Sequence, residues 1–170
     1  MSEFQKRNII NNLLRLGPVL ILFISVLNEI DLNYIKFFSF NFTFILIFYW
    51  SLRRTESLGY GYIFLAGLIN DVVTGFPIGI SSFNYLLICG FAAYLRTITL
   101  SPNLVKDWFF FLFTILVVNS ASYSILNIFF SIDLNYYNLF VNIFFTFIFY
   151  IFFANLFLLY QNKFFKESND

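Results

Sequence analysis

The chain has 170 residues, of which 60% are hydrophobic, 24% aromatic and only 11% charged, and its net charge is +1. Soluble domains carry about 25% charged residues, so this chain has too little charge to cover a globule in water. The composition therefore predicts an integral membrane protein that is surrounded by membrane lipid, and the absence of a basic run argues against a nucleic-acid partner.

The chain also lacks the residues that most enzymes use. It has no histidine and a single cysteine, Cys89, which removes the commonest general base, any cysteine-cluster metal site and any internal disulfide. There is no glycine-rich phosphate loop, and no serine has a plausible base. We expect no catalytic residue, no cofactor and no metal ion, and therefore not an enzyme.

Six apolar segments come close to the roughly 20 residues that a helix needs to cross the hydrocarbon core. In chain order they cover residues 9–28, 36–52, 58–76, 78–95, 108–130 and 139–160. The sequence thus predicts one polytopic membrane domain over residues 1–170, an all-α bundle of about six transmembrane helices. Near the end of the second segment, Tyr49 and Trp50 are expected to form an aromatic pair at the membrane interface.

The basic residues predict the orientation of this bundle. When the six spans start from a cytoplasmic N-terminus, nine of the ten basic residues fall on the cytoplasmic side and only Lys36 falls outside. Cytoplasmic loops of membrane proteins carry an excess of lysine and arginine. We therefore expect both termini in the cytoplasm. The nine residues are Lys6, Arg7, Arg15, Arg53, Arg54, Arg96, Lys106, Lys163 and Lys166.

The junction of the third and fourth segments carries the only acidic residue that lies inside a membrane-length segment, Asp71. Gly67, Asp71 and Gly75 share one helix face, and Pro77 and Gly79 then end the helix and turn the chain. A carboxylate at this depth normally faces other helices, a partner or water.

Three interpretations of Asp71 stay open, and the first two are compatible. It caps the free amides of the fourth helix, it meets a group on a partner or a lipid headgroup, or it takes part in proton or ion transfer. In the second case we expect Asp71→Asn to weaken a complex and leave membrane insertion intact.

Polar side chains also gather in the outer halves of the fifth and sixth segments. They include Asn119, Ser120, Tyr123, Ser124, Asn127, Asn142 and Thr146. Such residues commonly join helices through hydrogen bonds. The other interpretation is an outward-facing polar groove shared with Asp71, for which Ser120, Ser124, Asn127, Asn142 and Thr146 are the candidates.

Several of these features together resemble a known family. They are Tyr49-Trp50, the basic pair that follows, the run Gly67-Leu68-x-x-Asp71-x-x-x-Gly75-x-Pro77-x-Gly79, and Tyr85. This pattern resembles the bacterial rod shape-determining MreD family. The chain departs from it at Phe40-Asn41-Phe42 and at Thr55, where the family often has prolines. These departures concern helix starts.

The resemblance implies a small multi-pass protein of the bacterial inner membrane, with a non-enzymatic scaffolding role in cell elongation and peptidoglycan synthesis. It implies as partners an MreC-like shape protein, MreB filaments, and the RodA glycosyltransferase with its transpeptidase. Gly67, Asp71, Gly75, Pro77, Gly79 and Tyr85 would then be a partner-binding or structural motif.

The alternative is the substrate-binding membrane subunit of a vitamin or metal-ion transporter, which is also a small six-helix protein. A vitamin binder needs a buried pocket with polar anchors, and loops that cover it. The short outer loops at 29–35 and 131–138 offer little cover.

Overall fold

The computed structural model describes residues 16–27, 40–53, 58–99, 103–131 and 135–165, and all regular structure in these ranges is α-helical. The helices are α1 (Leu16–Leu27), α2 (Phe42–Arg53), α3 (Tyr60–Thr74), α4 (Ile80–Ile98), α5 (Leu104–Phe130) and α6 (Tyr136–Phe165). The predicted all-α class is therefore confirmed for the described residues.

Helix α2 forms the centre of the bundle. It has only 12 residues, and every residue from Thr43 to Leu52 is buried. It packs against α4 and α6, while α4 also packs against α3 and α5, and α5 against α6. On α1, Leu22 is fully buried, and Ser25 Oγ lies 3.4 Å from Thr43 Oγ1 of α2. A helix that is buried on all sides needs side chains that are apolar on all sides, as most of those on α2 are.

The aromatic pair Tyr49 and Trp50 belongs to this core. Both side chains are 0% exposed, although the sequence predicts them at the membrane interface. Their rings lie 5.2 and 6.2 Å from the ring of Phe157 on α6. The prediction was wrong because α2 is enclosed by its neighbours and has no face left for an aromatic belt.

Helix starts differ from the predicted segments because three asparagines cap them. The side chains of Asn41, Asn103 and Asn135 each accept a hydrogen bond from a backbone amide two or three residues later, at 3.0–3.1 Å. Such N-caps fix where a helix begins. Helix α2 starts six residues later than the predicted 36–52, whereas α5 and α6 start four and three residues earlier than the predicted 108–130 and 139–160. The predicted start of the first helix, residue 9, lies outside the described residues.

The outer surface of the bundle is strongly apolar. Large hydrophobic side chains are exposed on α1, α3, α4, α5 and α6, and none on α2. So many exposed large hydrophobic side chains are unfavourable in water and are what contact with lipid requires. Helices α5, over Leu104–Phe130, and α6, over Tyr136–Asn162, are long and apolar enough to cross a membrane. These features agree with a helical membrane protein.

Candidate functional site at the α3–α4 hairpin

Residues 75–79 join α3 to α4 in a tight turn that two glycines make possible. Gly75 ends α3 with φ 71°, and Gly79 precedes α4 with φ 105°. Both angles lie in the left-handed region, which glycine adopts without the strain that a Cβ causes. The carbonyl oxygen of Pro77 accepts a hydrogen bond from Ile80 N at 3.3 Å. Helix α3 therefore ends two residues before the predicted 76, and α4 begins two residues after the predicted 78.

Asp71, in the last turn of α3, caps α4 across this turn. Its Oδ2 accepts a hydrogen bond from Gly79 N at 2.7 Å, and its Oδ1 accepts one from Ser81 N at 2.9 Å. The first amides of a helix have no partner within it and carry the positive end of its dipole, so a carboxylate is stabilising there. Because Asp71 is 0% exposed, its carboxylate interacts with backbone amides of the chain itself and is not accessible to a partner at the surface. The structure thus shows the capping arrangement.

Gly67 is a point of close approach between α3 and α4. A Cβ built on Gly67 would lie 2.4 Å from Ser82 Cα and 2.5 Å from Ser82 N. The Ser82 hydroxyl donates to the Phe64 carbonyl oxygen at 3.0 Å. At Gly75 and Gly79, by contrast, no described heavy atom lies within 4 Å of an added Cβ. Gly67 is therefore needed for the close approach of α3 to α4, whereas Gly75 and Gly79 are needed for their left-handed backbone conformation.

A polar cavity of about 320 Å³ lies beside the hairpin. Its wall includes residues of α1, α3, α4, α5 and α6, and the beginning of α2 with the two residues that precede it. The polar lining residues are Ser25, Asn41, Thr43, Asn70, Thr74, Ser81, Asn84, Tyr85, Asn119, Ser122, Tyr123 and Asn142. The other described lining residues are four phenylalanines and three aliphatic residues, and within the described ranges no lining residue is charged.

Four asparagines in this wall are held through one half of the side-chain amide. The amide oxygen of Asn41 accepts a hydrogen bond from Phe44 N, and that of Asn84 accepts one from the Ser122 hydroxyl. The amide nitrogen of Asn70 donates to Ser81 Oγ, and that of Asn119 donates to the Ile115 carbonyl oxygen. Within the described ranges, the other half of each amide has no hydrogen-bond partner. The four side chains are thus oriented by the protein and keep two NH₂ donors and two carbonyl acceptors.

Two of the residues predicted for the site line this cavity, and a third is its neighbour. Tyr85, 3% exposed, and Asn142 are part of the wall. Thr146 is 1% exposed, and its Oγ1 accepts a hydrogen bond from Asn41 N at 2.9 Å. Thr146 therefore supports the backbone that enters α2 instead of lining the cavity.

The remaining groove candidates lie elsewhere. Ser120, Ser124 and Asn127 are exposed and are not part of the cavity wall. Helix α5 instead turns Asn119 and Ser122 towards the cavity. Sequence reasoning did not single out Asn41, Asn70 or Asn84. The available signal was the spacing of Ser81 and Asn84, which places both on one face of α4 near the turn.

At the other end of α2, sequence reasoning missed an ion pair. Arg53 Nη2 lies 2.6 Å from Asp107 Oδ2, with the side chains 17% and 3% exposed, respectively. Arg53 is in the last turn of α2 and Asp107 in the first turn of α5, so each charge is also favourable with its own helix dipole. The predicted fifth segment begins at residue 108, just after Asp107, whereas Asn103 caps a helix that already begins at Leu104.

The acidic side chains that the structure describes are thus engaged in structural roles, one as a cap and one in an ion pair. In the same part of the chain, no three His, Cys, Asp or Glu side chains lie close enough together to hold a metal ion. Cys89 is buried in the core.

Comparison with known protein families gave a match over most of the chain. A family model described as rod shape-determining protein MreD matches residues 7–167 of the chain, a range that includes the hairpin, the cavity and the Arg53–Asp107 pair. No curated protein and no solved structure matched. Because the match extends over nearly the whole length of the chain, it applies to the chain as a whole and not to one segment of it.

Proposed function

We propose a function from one premise: this chain belongs to the MreD family of rod shape-determining proteins. The resemblance noted in the sequence is thereby confirmed. The family is a bacterial membrane family with a structural part in determining rod shape, so a cell-shape role follows for this chain. The match over residues 7–167 is the observation that carries the proposal.

In this proposal the chain is a non-enzymatic inner-membrane component of the cell-elongation machinery, and it holds partner proteins in place during peptidoglycan synthesis. Two observations support it. Helices α1 and α3–α6 each expose several large hydrophobic side chains, as a protein embedded in lipid requires. The described acidic groups, Asp71 and Asp107, are engaged in a cap and an ion pair, as expected of a framework.

The proposed topology is one multi-pass domain over residues 1–170 with about six spans and both termini in the cytoplasm. The distribution of the basic residues supports this orientation. It would put the Arg53–Asp107 pair near the cytoplasmic side, and the α3–α4 hairpin with its cavity towards the periplasmic side.

The proposed direct partner is an MreC-like shape protein, and the wider assembly contains MreB filaments and the RodA glycosyltransferase with its transpeptidase. We assign the contact to the hairpin. Because Asp71 is buried, the contact surface is the apolar part of the hairpin, where Val72 at the end of α3 is 70% exposed and Ile78 in the turn is 76% exposed. The motif formed by Gly67, Asp71, Gly75, Pro77, Gly79 and Tyr85 would then shape this surface from inside.

The transporter-subunit alternative gains no support from the family match, which describes a rod shape-determining protein. The polar cavity is the feature that a small-molecule binder would share. A cavity of about 320 Å³ does not by itself require transport, so it does not favour this alternative over the proposal.

The test compares Ile78→Ser with Ile128→Ser. Both isoleucines are exposed, at 76% and 73%, but Ile78 lies in the hairpin turn and Ile128 near the C-terminal end of α5. Each variant replaces the chromosomal gene as a tagged copy. We expect Ile78→Ser to reach normal levels in the membrane, to co-purify less of the MreC-like protein and to give rounded cells. Ile128→Ser should change neither the amount of MreC-like protein that co-purifies nor the cell shape.

Two results would contradict the proposal in different ways. If cells that lack the whole gene stay rod-shaped, the cell-shape role itself is wrong. If the two isoleucine variants behave alike while gene deletion rounds the cells, only the hairpin contact is wrong.

A further inference from the structure

The polar side chains of this apolar bundle are concentrated at one cavity. Of the 11 buried polar or charged residues in the described ranges, five line it: Ser25, Thr43, Ser81, Asn84 and Ser122. Burying a polar group without a hydrogen-bond partner is unfavourable, and buried polar groups in proteins are therefore nearly always paired. All five have a hydrogen-bond partner within the protein, so what the cavity can offer a ligand is the hydrogen-bonding capacity that these internal bonds leave unused.

The wall of this cavity offers a defined set of hydrogen-bonding groups. Asn41 and Asn84 have their amide oxygens bonded within the protein, which leaves their NH₂ groups as donors. Asn70 and Asn119 have their nitrogens bonded, which leaves their oxygens as acceptors. Because each amide is already oriented by one bond, a ligand that uses the other half would not have to order the side chain, which favours affinity.

We propose that this cavity binds an uncharged group rich in hydroxyl or amide functions, of the sugar or acylamino-sugar class. A hydroxyl is both a donor and an acceptor, so such a group matches a wall that presents both. A charged ligand would lose its hydration without meeting an opposite charge on the described wall, because no lining residue in the part of the chain that the structure describes is charged.

The size and the apolar part of the wall agree with this ligand class. Ligand sites occupy about 300–1,000 Å³ and combine aromatic walls with a few polar anchors. This cavity, at about 320 Å³, lies at the lower end of that range, which suits a group the size of a sugar. Phe40, Phe42, Phe44 and Phe76 supply aromatic surface for the apolar C–H faces of a sugar ring.

The inference rests on the cavity and not on the cell-shape role, so either can fail without the other. Two sources carry the same chemistry, a free sugar and the sugar headgroup of a membrane lipid. The experiment therefore has one arm for each source.

The decisive variant is Asn119→Leu, and Asn127→Leu is its matched control. Asn119 donates only to the Ile115 carbonyl oxygen of its own helix, so this variant breaks no hydrogen bond between helices and should fold. Asn127 lies on the same helix, is exposed and is not part of the cavity wall.

The first arm titrates the purified full chain in detergent with N-acetylglucosamine and follows binding by saturation-transfer NMR. Glucosamine and glucuronate serve as the cationic and anionic counterparts. The second arm measures the thermal unfolding midpoint of the chain in lipid nanodiscs that contain a monoglucosyl diacylglycerol. The control nanodiscs have the same composition, except that diacylglycerol without the sugar replaces it.

We expect saturable binding of the uncharged sugar in at least one arm, and no saturable binding of the charged sugars. Loss of one hydrogen bond should make binding to Asn119→Leu weaker by roughly 2- to 13-fold, with Asn127→Leu unchanged. Saturation in the first arm alone assigns a free sugar, and in the second alone a lipid headgroup. The proposal is overturned if neither uncharged probe binds the wild-type chain, if Asn119→Leu binds as well as Asn127→Leu, or if the charged sugars bind equally tightly. A cavity filled only by water would give the first of these results.

Discussion

The two carboxylate oxygens of Asp71 accept hydrogen bonds from the backbone amides of Gly79, the N-cap of α4, and Ser81, in its first turn, at 2.7 and 2.9 Å. Asparagine has a single acceptor oxygen, and its NH₂ group would face an amide that is itself a donor. We therefore predict that Asp71→Asn destabilises the hairpin by about 1–3 kcal/mol, the usual cost of a buried donor that is left unsatisfied. Thermal unfolding of the purified chain in detergent should show a lower midpoint, and less protein should accumulate in membranes.

Thr74→Val is the control for this experiment. The Thr74 hydroxyl is exposed and donates to the Asn70 carbonyl oxygen of its own helix, so its loss should leave the midpoint unchanged. The sequence-based expectation for Asp71→Asn was intact insertion with a weakened complex. An unchanged midpoint together with lost co-purification of a partner would favour that expectation over the capping argument.

The glycines of α3 provide a second prediction for single residues. A Cβ on Gly67 would lie 2.4 Å from Ser82 Cα, whereas at Gly61 no described atom lies within 4 Å. Gly67→Ala should force α3 and α4 apart and destabilise the protein by about 1–3 kcal/mol, as overpacking usually does. Gly61→Ala should be neutral or stabilising by up to about 1 kcal/mol, because alanine favours helix. The measurement is the thermal unfolding midpoint of each variant. Equal midpoints for Gly67→Ala and Gly61→Ala would show that α3 and α4 can move apart at little cost, and would contradict the prediction.

At the scale of the helices, the Arg53–Asp107 pair joins the end of α2 to the start of α5. Removing one partner of a fully buried ion pair costs roughly 3–5 kcal/mol, because the other charge is left unpaired. We expect less here, since the Arg53 side chain is 17% exposed. In a double-mutant cycle of Arg53→Ala and Asp107→Ala, the double variant should lose less stability than the sum of the two single variants. The coupling should fall within about 0.5–3 kcal/mol.

The readout of this cycle is the unfolding midpoint of the four proteins in the same detergent. Additive losses would mean that solvent screens the pair, as happens for exposed ion pairs. In that case the contact between α2 and α5 depends on packing, such as that of Phe48 against Phe111, whose ring centroids are 5.0 Å apart.

The helices also show which parts of this fold local sequence can predict. The hairpin was predictable because glycine, proline and an acidic residue act on the backbone within a few positions. The inward-facing side of a helix was not predictable in the same way. Helix α2, for example, is apolar on nearly every side and therefore gives no periodic signal. Helix α5 has polar residues on neighbouring positions, Asn119 and Ser120 among them, so either face could be the inner one. The cavity depends on how all six helices pack, and no local pattern records that.

At the scale of the whole molecule, the two ends of α2 have different chemistry. Its C-terminal end holds the Arg53–Asp107 ion pair, and its N-terminal end lies at the cavity, whose described lining residues are uncharged. Twelve helical residues span about 18 Å, which is less than the roughly 30 Å of the hydrocarbon core. In the proposed orientation, the non-helical backbone at Asn41 then lies at membrane depth. Such backbone is tolerated where it is buried in protein or lines a cavity, and Thr146 Oγ1 accepts the Asn41 amide hydrogen at 2.9 Å.

The last prediction tests that orientation. Nine of the ten basic residues fall on one side when six spans start from a cytoplasmic N-terminus, and such a bias normally sets the orientation of a membrane protein. Reporters that are active in the cytoplasm should be active when fused after Arg54, Arg96 or Lys166, and inactive after Asp31 or Asp133. A reporter that is active only in the periplasm should give the complementary pattern. Of these fusion points, only Arg96 lies within the described residues. A periplasmic signal at Lys166 together with a cytoplasmic signal at Arg54 would mean an odd number of crossings after the second helix, and the six-span topology would then be wrong.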